Sequence, residues 1–283
     1  MIERRLDGPF GVTIGADLSC PFAPENVTQL RDAFARHLLL VLRDQHLTMA
    51  DQKRVMSHLG TVLEVEGRAE YMTSAIDPSV PLDKQHADSG ALAWHSDFAF
   101  TPAPYLGISL YAVEVADDET STRFASARDA YSRMPPHLRA RLASLDATHI
   151  RPLRPDRRNR SSDVPIDTPR TTRPAIWAHP VTGAPLAYLC EEQLDRFEAI
   201  DDDVGETLVS EVFSYLYAED NTYEHVWRRG DLVVWDNLAL QHSRASSPVS
   251  VRRTLRKVVI GTAARHSGNE GPQTVSSIAE RRA

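Results

Sequence analysis

Cysteine is scarce in this chain. Cys20 and Cys190 are the two cysteines among 283 residues, and they do not form a C-x-x-C motif. Two cysteines are too few for a disulfide framework, so the sequence excludes a small fold held together by disulfides. The simplest interpretation of this low cysteine content is a reduced, cytoplasmic compartment.

Long apolar runs and an excess of positive charge are also missing. No stretch of about eighteen apolar residues occurs, so the sequence predicts no membrane-spanning helix. Residues 1–5 (Met-Ile-Glu-Arg-Arg) lack the apolar core of a signal peptide. The chain has 32 basic and 39 acidic residues, a formal net charge of −7. This balance argues against general nucleic-acid binding and leaves a small molecule as the expected partner.

Hydrophobic residues make up 42% of the sequence, enough for a sizeable core, and we expect one domain over residues 1–283. Pro24 predicts the start of one helix, Thr48 with Asp51 predicts a cap for a second, and the apolar residues in 204–216 predict a third. Strands are predicted at 11–18, 38–42, 223–227, 231–235, 238–244 and 253–260. Parallel βαβ alternation is absent, which favours a mainly β (α+β) jelly roll with flanking helices.

Two segments have no regular pattern. Residues 151–173 are rich in Arg, Pro, Ser and Asp, and two interpretations are open: a solvated loop, or a lid over a functional site. Residues 266–283 are polar, and we expect a frayed tail there.

A histidine and an aspartate two residues apart, His95 and Asp97, offer metal-binding chemistry. On a β-strand, residues i and i+2 project to the same face, so an imidazole and a carboxylate would lie side by side. A second pair with the same spacing, His86 and Asp88, lies in a polar segment with Ser and Gly that is typical of a loop. His95 precedes the apolar stretch 105–113 and is therefore the better candidate.

A third ligand would complete a facial triad, the arrangement associated with non-haem iron(II) oxygenases. His242 is the best candidate, because a core strand and an Asp-Asn turn (residues 236–237) bring it to a following strand. The alternative is a core histidine bonded to a backbone carbonyl. His179 competes poorly because it precedes a proline in a turn.

Iron-based oxidation of this kind needs electrons, which a 2-oxo acid supplies by oxidative decarboxylation. The far carboxylate of such a cosubstrate needs a buried cation, ideally the forked guanidinium of an arginine. Arg253 lies eleven residues after His242 on the next predicted strand. The alternative for Arg253 is a solvated basic stretch, 252–257, although strand alternation turns some of its side chains inward.

These motifs together resemble the taurine dioxygenase (TauD/TfdA) family of iron(II)- and 2-oxoglutarate-dependent oxygenases. They are Trp-His-Ser-Asp at 94–97, Gly-Asp-Leu-Val-Val-Trp-Asp-Asn at 230–237, Gln-His at 241–242, and the arginine eleven residues later. Residues 177–183 resemble the family's His-Pro-x-[ST]-Gly segment, and residues 11–52 resemble its strand–helix–strand opening. The resemblance covers nearly the whole chain.

The resemblance implies a double-stranded β-helix, with His95, Asp97 and His242 as iron ligands. It implies Arg253 as the clamp on the distal carboxylate of 2-oxoglutarate, helped by Thr122. Here residues 119–122 read Glu-Thr-Ser-Thr, where the family commonly has two glycines before the threonine.

Another departure from the family is Lys257, which stands where the family has a second arginine. Lysine keeps the positive charge but loses the forked guanidinium, and Lys257 remains a candidate for binding 2-oxoglutarate. In some family members this arginine helps to hold the anionic group of the substrate, so the replacement argues against a taurine-like sulfonate substrate.

The implied reaction uses Fe(II), 2-oxoglutarate and O2, and releases succinate and CO2. Halogenating relatives lack the carboxylate ligand, so Asp97 favours hydroxylation or desaturation of an unactivated C–H bond. Two alternatives are a zinc hydrolase and a catalytically silent jelly-roll binding protein.

The substrate expected is a small carboxylate- or amine-bearing metabolite. Its candidate contacts are Tyr71, Tyr105, Tyr188, Glu191, Gln193 and Arg244. Family members are often dimers or tetramers, so a homodimer or tetramer is the corresponding expectation.

Overall fold

The computed structural model describes residues 1–63, 71–73, 90–116, 119–246 and 253–261. This part of the chain is mainly β, with helices around the strands. The strands are β1 (Ile2–Arg5), β2 (Val12–Gly15), β3 (Leu39–Leu42), β4 (Thr61–Leu63), β5 (Tyr71–Thr73), β6 (Leu92–His95), β7 (Gly107–Val115), β8 (Ser121–Ser126), β9 (Asp146–Ile150), β10 (Arg170–Pro174), β11 (Ile176–Ala178), β12 (Pro185–Ala187), β13 (Leu194–Phe197), β14 (Thr222–Val226), β15 (Leu232–Asp236), β16 (Leu240–Arg244) and β17 (Arg253–Gly261). The helices are α1 (Pro24–His37), α2 (Met49–Ser57), α3 (Ala127–Arg133), α4 (Pro136–Ala143) and α5 (Asp202–Leu216).

Two sheets form the body of the fold. The larger has the strand order β1-β2-β3-β15-β7-β17-β4, with β5 also paired to β17, and the smaller has the order β14-β8-β16-β6. Apart from the parallel pair β2–β3, these neighbours run antiparallel. Phe124 in β8 packs edge-on against Trp235 in β15, with 5.4 Å between ring centroids, so the core lies between the two sheets. This arrangement confirms the predicted jelly roll.

The helices begin and end for local reasons that the sequence carries. Pro24 occupies the first turn of α1, where its missing N–H costs nothing. The Thr48 hydroxyl accepts a hydrogen bond from the Asp51 amide, and the Asp51 carboxylate accepts one from the Thr48 amide. This reciprocal cap starts α2 as predicted. Helix α5 buries the apolar stripe that predicted it, which includes Leu208 and Val212.

The segment 151–173 is only partly a loop. Residues 170–173 belong to β10, which pairs with β9, so the predicted loop boundary is wrong at its C-terminal end. Its N-terminal part is anchored to the strand β13 region: Arg158 donates to the Leu194 and Asp195 carbonyls, and Asn159 donates to the Glu192 carbonyl. A role as a lid stays a prediction.

The predicted tail, 266–283, lies outside the described residues. Among the helices that the structure describes, none is both long and apolar enough to cross a bilayer.

Candidate metal centre

Two of the predicted ligands face each other across neighbouring strands. His95 at the end of β6 and His242 in β16 are directly paired in the antiparallel register. Opposed residues in such a pair project from the same sheet face. Their rings lie 4.1 Å apart between centroids, and both residues are buried. The sequence separates these histidines widely, and the sheet brings them together.

Asp97 lies next to both histidines, but in a turn and not on a strand as predicted. Strand β6 ends at His95, so Asp97 lies in the turn that follows and not on the strand. Phe98 has φ of 62°, an uncommon left-handed conformation for an aromatic residue, and this turns the chain directly after Asp97. The Asp97 Oδ1 atom lies 3.5 Å from His95 Nε2 and 3.6 Å from His242 Nε2. The predicted strand alternation is therefore wrong, but the predicted convergence is present.

Asn237 holds the turn that carries Asp97. Its side-chain oxygen accepts a hydrogen bond from the Asp97 amide at 2.9 Å, and its side-chain nitrogen donates to the Asp97 carbonyl at 3.1 Å. The same nitrogen donates to the Tyr105 carbonyl at 3.0 Å. The sequence predicts only a turn at residues 236–237 and gives no signal for this role of Asn237. Asparagine suits this position because its side-chain amide both accepts and donates hydrogen bonds.

The turn that contains Asn237 is stabilised by the preceding residue, Asp236. The Asp236 carboxylate accepts hydrogen bonds from the Leu238 and Ala239 amides, and its other oxygen lies 3.0 Å from His179 Nε2. The His179 Nδ1 atom accepts hydrogen bonds from the Val181 and Thr182 amides. The His-Pro-x-[ST]-Gly segment thus supports the metal centre from outside and supplies no ligand.

The residues present fit a divalent transition metal. One ligand atom each from His95, Asp97 and His242 lies within 4.8 Å of the others. The His95 Nδ1 atom lies 2.8 Å from the Ala93 carbonyl, which can only accept, so Nδ1 keeps its proton and Nε2 is the nitrogen that a metal would take, in exchange for the proton on Nε2. Two imidazoles and one carboxylate are the ligand types of the facial triad.

The charges around the triad keep Asp97 ionised. Burial opposes the charged carboxylate, but Lys257 and the two histidines hold the pKa of Asp97 well below its usual value. Burial also disfavours protonated His95, yet the charges of Glu192 and Asp97 raise its pKa to about 9. Burial, with the nearby His95 charge, holds the pKa of His242 well below its usual value.

These shifts predict how metal affinity depends on pH. Below about pH 9, metal must displace one proton from His95, whereas Asp97 is already ionised and His242 is neutral down to its ordinary pKa of 6.5. We therefore expect affinity for Fe(II) to rise about tenfold per pH unit from about pH 6.5 to 9 and then level off. Anaerobic competition with a chromophoric chelator measures this slope, and an affinity independent of pH would contradict the assignment.

A second expectation concerns the support of Asp97. Replacing Asn237 with alanine removes both hydrogen bonds to the Asp97 backbone, so the carboxylate is no longer fixed opposite the histidines. We expect a loss of about ten- to a hundredfold in metal affinity, the usual cost of removing such a supporting residue. The same chelator competition checks this on protein shown to be folded by circular dichroism. Unchanged affinity in the folded variant would show that Asn237 supports only the fold.

The predicted clamp arginine, Arg253, lies on the same face of β17 as Lys257. The β17–β7 register slips at Val113 in β7, so alternation along β17 is preserved. Arg253 is buried, with its guanidinium carbon 6.0 Å from the Trp227 ring centroid. The Trp227 indole donates to the Thr122 hydroxyl at 3.0 Å. Trp227, which the sequence analysis did not single out, thus connects Arg253 with Thr122.

Arg256 points to the opposite face of β17. Its guanidinium donates to the Gln52 side chain and to the Leu47 and Thr48 carbonyls. It therefore joins β17 to the start of α2. These contacts leave Arg253 as the buried arginine on the site face of this strand.

Lys257 has a partner that the sequence did not predict. Its ammonium group pairs with Asp97 Oδ2, the carboxylate oxygen that does not face the histidines, and lies 5.8 Å from the Tyr105 ring centroid. Binding of 2-oxoglutarate by Lys257 stays a prediction.

The candidate substrate residues divide into two groups. Tyr105 packs edge-on against Phe98 at 4.7 Å, beside the Asp97 turn, and Gln193 donates to the Ser96 carbonyl, so both lie at the centre. Glu191 accepts a hydrogen bond from the amide of Trp94, which is next to His95. The other described candidates make contacts elsewhere: Tyr188 with the rings of His149 and Trp177, and Arg244 with the Gly90 carbonyl. The Tyr71 side chain and the pair His86 and Asp88 lie outside the described residues.

The chain is similar to proteins of one known family over most of its length. The family model described as "Taurine catabolism dioxygenase TauD, TfdA family" matches residues 3–259. The chain is 25% identical over 264 residues to the (S)-phenoxypropionate/alpha-ketoglutarate-dioxygenase of Sphingobium herbicidovorans, covering 88% of this chain and 91% of that protein. It is 27% identical over 273 residues to the pentalenolactone F synthase of Streptomyces avermitilis, covering 88% and 89%.

Solved structures share the fold. The crystal structure of AAD-2 in complex with Mn(II) and N-oxalylglycine superposes with a TM-score of 0.77, at 21% identity, over 96% of this chain and 99% of that one. A taurine dioxygenase from Burkholderia xenovorans superposes with a TM-score of 0.74, at 20% identity, over 92% and 90%. The family match across the chain makes this protein a member of the TauD/TfdA family, an Fe(II)- and 2-oxoglutarate-dependent dioxygenase.

Proposed function

We propose that this dioxygenase hydroxylates or desaturates an unactivated C–H bond of a small carboxylate- or amine-bearing metabolite. The observation that carries the proposal is the convergence of His95, Asp97 and His242 ligand atoms within 4.8 Å. These three residues would hold Fe(II), and Arg253 with Thr122 would hold the distal carboxylate of 2-oxoglutarate. For hydroxylation, substrate, O2 and 2-oxoglutarate give hydroxylated substrate, succinate and CO2.

When bound, Fe(II) and 2-oxoglutarate supply the oxidising equivalents, and the protein supplies the geometry. His242 and, once metal has displaced its Nε2 proton, His95 would supply the nitrogen donors, and Asp97 fills the position that halogenating relatives leave open. This retained carboxylate supports hydroxylation or desaturation over halogenation. The Trp235 ring packs edge-on against His242 at 5.0 Å, and Phe98, next to Asp97, packs against Tyr105 at 4.7 Å, so aromatic rings lie beside two of the three ligands.

The two rival interpretations do not explain the same residues. A zinc hydrolase would use the triad but has no need for Arg253 buried beside Trp227. A silent binding protein would have no need for two imidazoles and an ionised carboxylate in one cluster. The 2-oxoglutarate-dependent reaction uses both features.

The test is succinate production by purified protein with Fe(II), ascorbate and 2-oxoglutarate, with and without candidate metabolites. We expect slow succinate release without substrate, and faster release coupled to a mass increase of one oxygen, or loss of two hydrogens, with a true substrate. Asp97→Ala should remove both signals, whereas His137→Ala, at an exposed position on α4, should keep them. A protein that forms no succinate under any of these conditions would contradict the proposal.

Three further expectations complete this proposal. The partner is a small molecule, the oligomer is a homodimer or tetramer, and the location is the cytoplasm. Size-exclusion chromatography with light scattering checks the second of these.

A further inference from the structure

The carboxylate of Asp97 presents its two oxygens to different partners. Oδ1 lies 3.5 Å from His95 Nε2 and 3.6 Å from His242 Nε2, so it points into the ligand group. Oδ2 forms an ion pair with the ammonium group of Lys257. One oxygen therefore faces the metal position, and the other is held by a cation of the protein itself.

Lys257 is fixed at the place where it meets Asp97. Its backbone lies in β17, an interior strand of the larger sheet, opposite Leu110 of β7. Its side chain is 26% exposed, and the ammonium group lies 5.8 Å from the Tyr105 ring centroid. A lysine solvated at the surface would have neither the partial burial nor the aromatic neighbour.

The chemistry of lysine suits this contact. Among the described residues, Lys257 is the only lysine or arginine that pairs with Asp97, whose other ionic partners are the two histidines. A guanidinium fork grips both oxygens of a carboxylate, whereas an ammonium group acts as a point charge. Lysine can therefore hold one oxygen of Asp97 and leave the other to a metal.

Asn237 and Lys257 restrain different parts of Asp97. The Asn237 side chain binds the Asp97 amide at 2.9 Å and the Asp97 carbonyl at 3.1 Å, so it fixes the backbone. These bonds leave the last torsion of the aspartate side chain free, and that torsion has a broad energy minimum. The contact with Lys257 sets the rotation of the carboxylate, with Oδ1 toward the histidines.

This rotation decides how many positions a bound metal keeps open. With one atom from each of the three ligands, a six-coordinate metal has three positions left. A 2-oxo acid that chelates through its keto oxygen and its carboxylate takes two of them and leaves one for O2. If Asp97 bound through both oxygens, that last position would be filled.

We propose that Lys257 is a positioning residue that keeps Asp97 Oδ2 away from the metal, so that Asp97 binds through Oδ1 alone and a position stays open for O2. The inference rests on the proposed function, because it takes His95, Asp97 and His242 as the ligands. It gives Lys257 a role in the reaction that is separate from binding 2-oxoglutarate or substrate.

The test is the enhancement of water-proton relaxation by Mn(II) bound to the wild type, Lys257→Met and Lys53→Met, each with and without 2-oxoglutarate. This signal counts the exchangeable water molecules on the metal and does not depend on turnover. Methionine keeps a long aliphatic side chain and lacks the ammonium group. Lys53, on α2, is the other lysine of the described residues and gives the matched control.

We expect wild-type Mn(II) to hold about three water molecules, and about one after 2-oxoglutarate binds. In Lys257→Met the freed Oδ2 joins the metal, so the enhancement should fall by about a third without 2-oxoglutarate, and no bound water should be left with it. Metal affinity should not fall, in contrast to Asn237→Ala, but succinate release with Fe(II) should drop about ten- to a hundredfold. Lys53→Met should match the wild type throughout.

Three results for Lys257→Met would overturn the inference: wild-type water counts, weaker Mn(II) binding with more bound water, or a loss of 2-oxoglutarate affinity alone. A crystal structure of the wild type with Mn(II) and 2-oxoglutarate tests it without any variant, because both Asp97 oxygens on the metal would contradict it. Failure of the proposed function looks different: His95→Ala would then bind Mn(II) as tightly as the wild type.

Discussion

Replacing His242 with alanine is expected to lower the affinity for Fe(II) by more than about a hundredfold and to abolish turnover. Loss of a residue that merely supports a ligand costs about ten- to a hundredfold, and His242 is one of only three candidate ligands in the described residues. No other described histidine is close enough to replace it in that group. His95→Ala should behave alike, because the two rings face each other across β6 and β16.

Chelator competition measures the affinity, and succinate release measures turnover. The control is His137→Ala, which removes an exposed histidine of α4 and should change neither. Removing His242 also leaves the core rings of Phe124 and Trp235 with a smaller neighbour, so the melting temperature of each metal-free variant must be compared. A folded His242→Ala protein that binds Fe(II) like the wild type would show that the metal lies elsewhere.

Replacing Arg253 with alanine is expected to raise the KM for 2-oxoglutarate by roughly thirtyfold to a few thousandfold. Truncating one partner of a buried charge pair costs about 2–5 kcal/mol, and each 1.4 kcal/mol is tenfold. Metal affinity should be unchanged, because Arg253 lies beside Trp227 and is not a member of the ligand group His95, Asp97 and His242. Arg253→Lys keeps the positive charge but loses the forked guanidinium, so its KM for 2-oxoglutarate should lie between those of the wild type and Arg253→Ala.

Arg256→Lys is the matched control on the same strand. Arg256 binds Gln52 and the Leu47 and Thr48 carbonyls on the far face of β17, so its replacement should lower the melting temperature and leave the KM for 2-oxoglutarate unchanged. If Arg253→Ala kept the wild-type KM while Lys257→Met raised it, the clamp would be Lys257 and not Arg253.

Asp97 shows how much of a site's geometry local residue spacing can predict. The His-x-Asp spacing predicted a shared strand face, but β6 stops at His95 and a turn with a left-handed Phe98 delivers the carboxylate. The prediction that His95 and Asp97 lie close together is confirmed, because side chains two residues apart stay near each other both in a strand and in a turn. The predicted strand conformation at Asp97 is wrong, because the length of β6 depends on its pairing with β16, which is distant in sequence.

Features that depend on neighbouring residues could be predicted from the sequence: the cap of α2, the apolar strands of the core, and the order of the histidines, aspartate and arginine in the chain. The partners of these groups could be seen only in the folded structure. Asn237 clamps Asp97 across a separation of 140 residues, and Lys257 pairs with Asp97 across 160. The physical reason is that local patterns fix backbone conformation, whereas charge pairing and hydrogen bonding at the centre depend on which strands become neighbours.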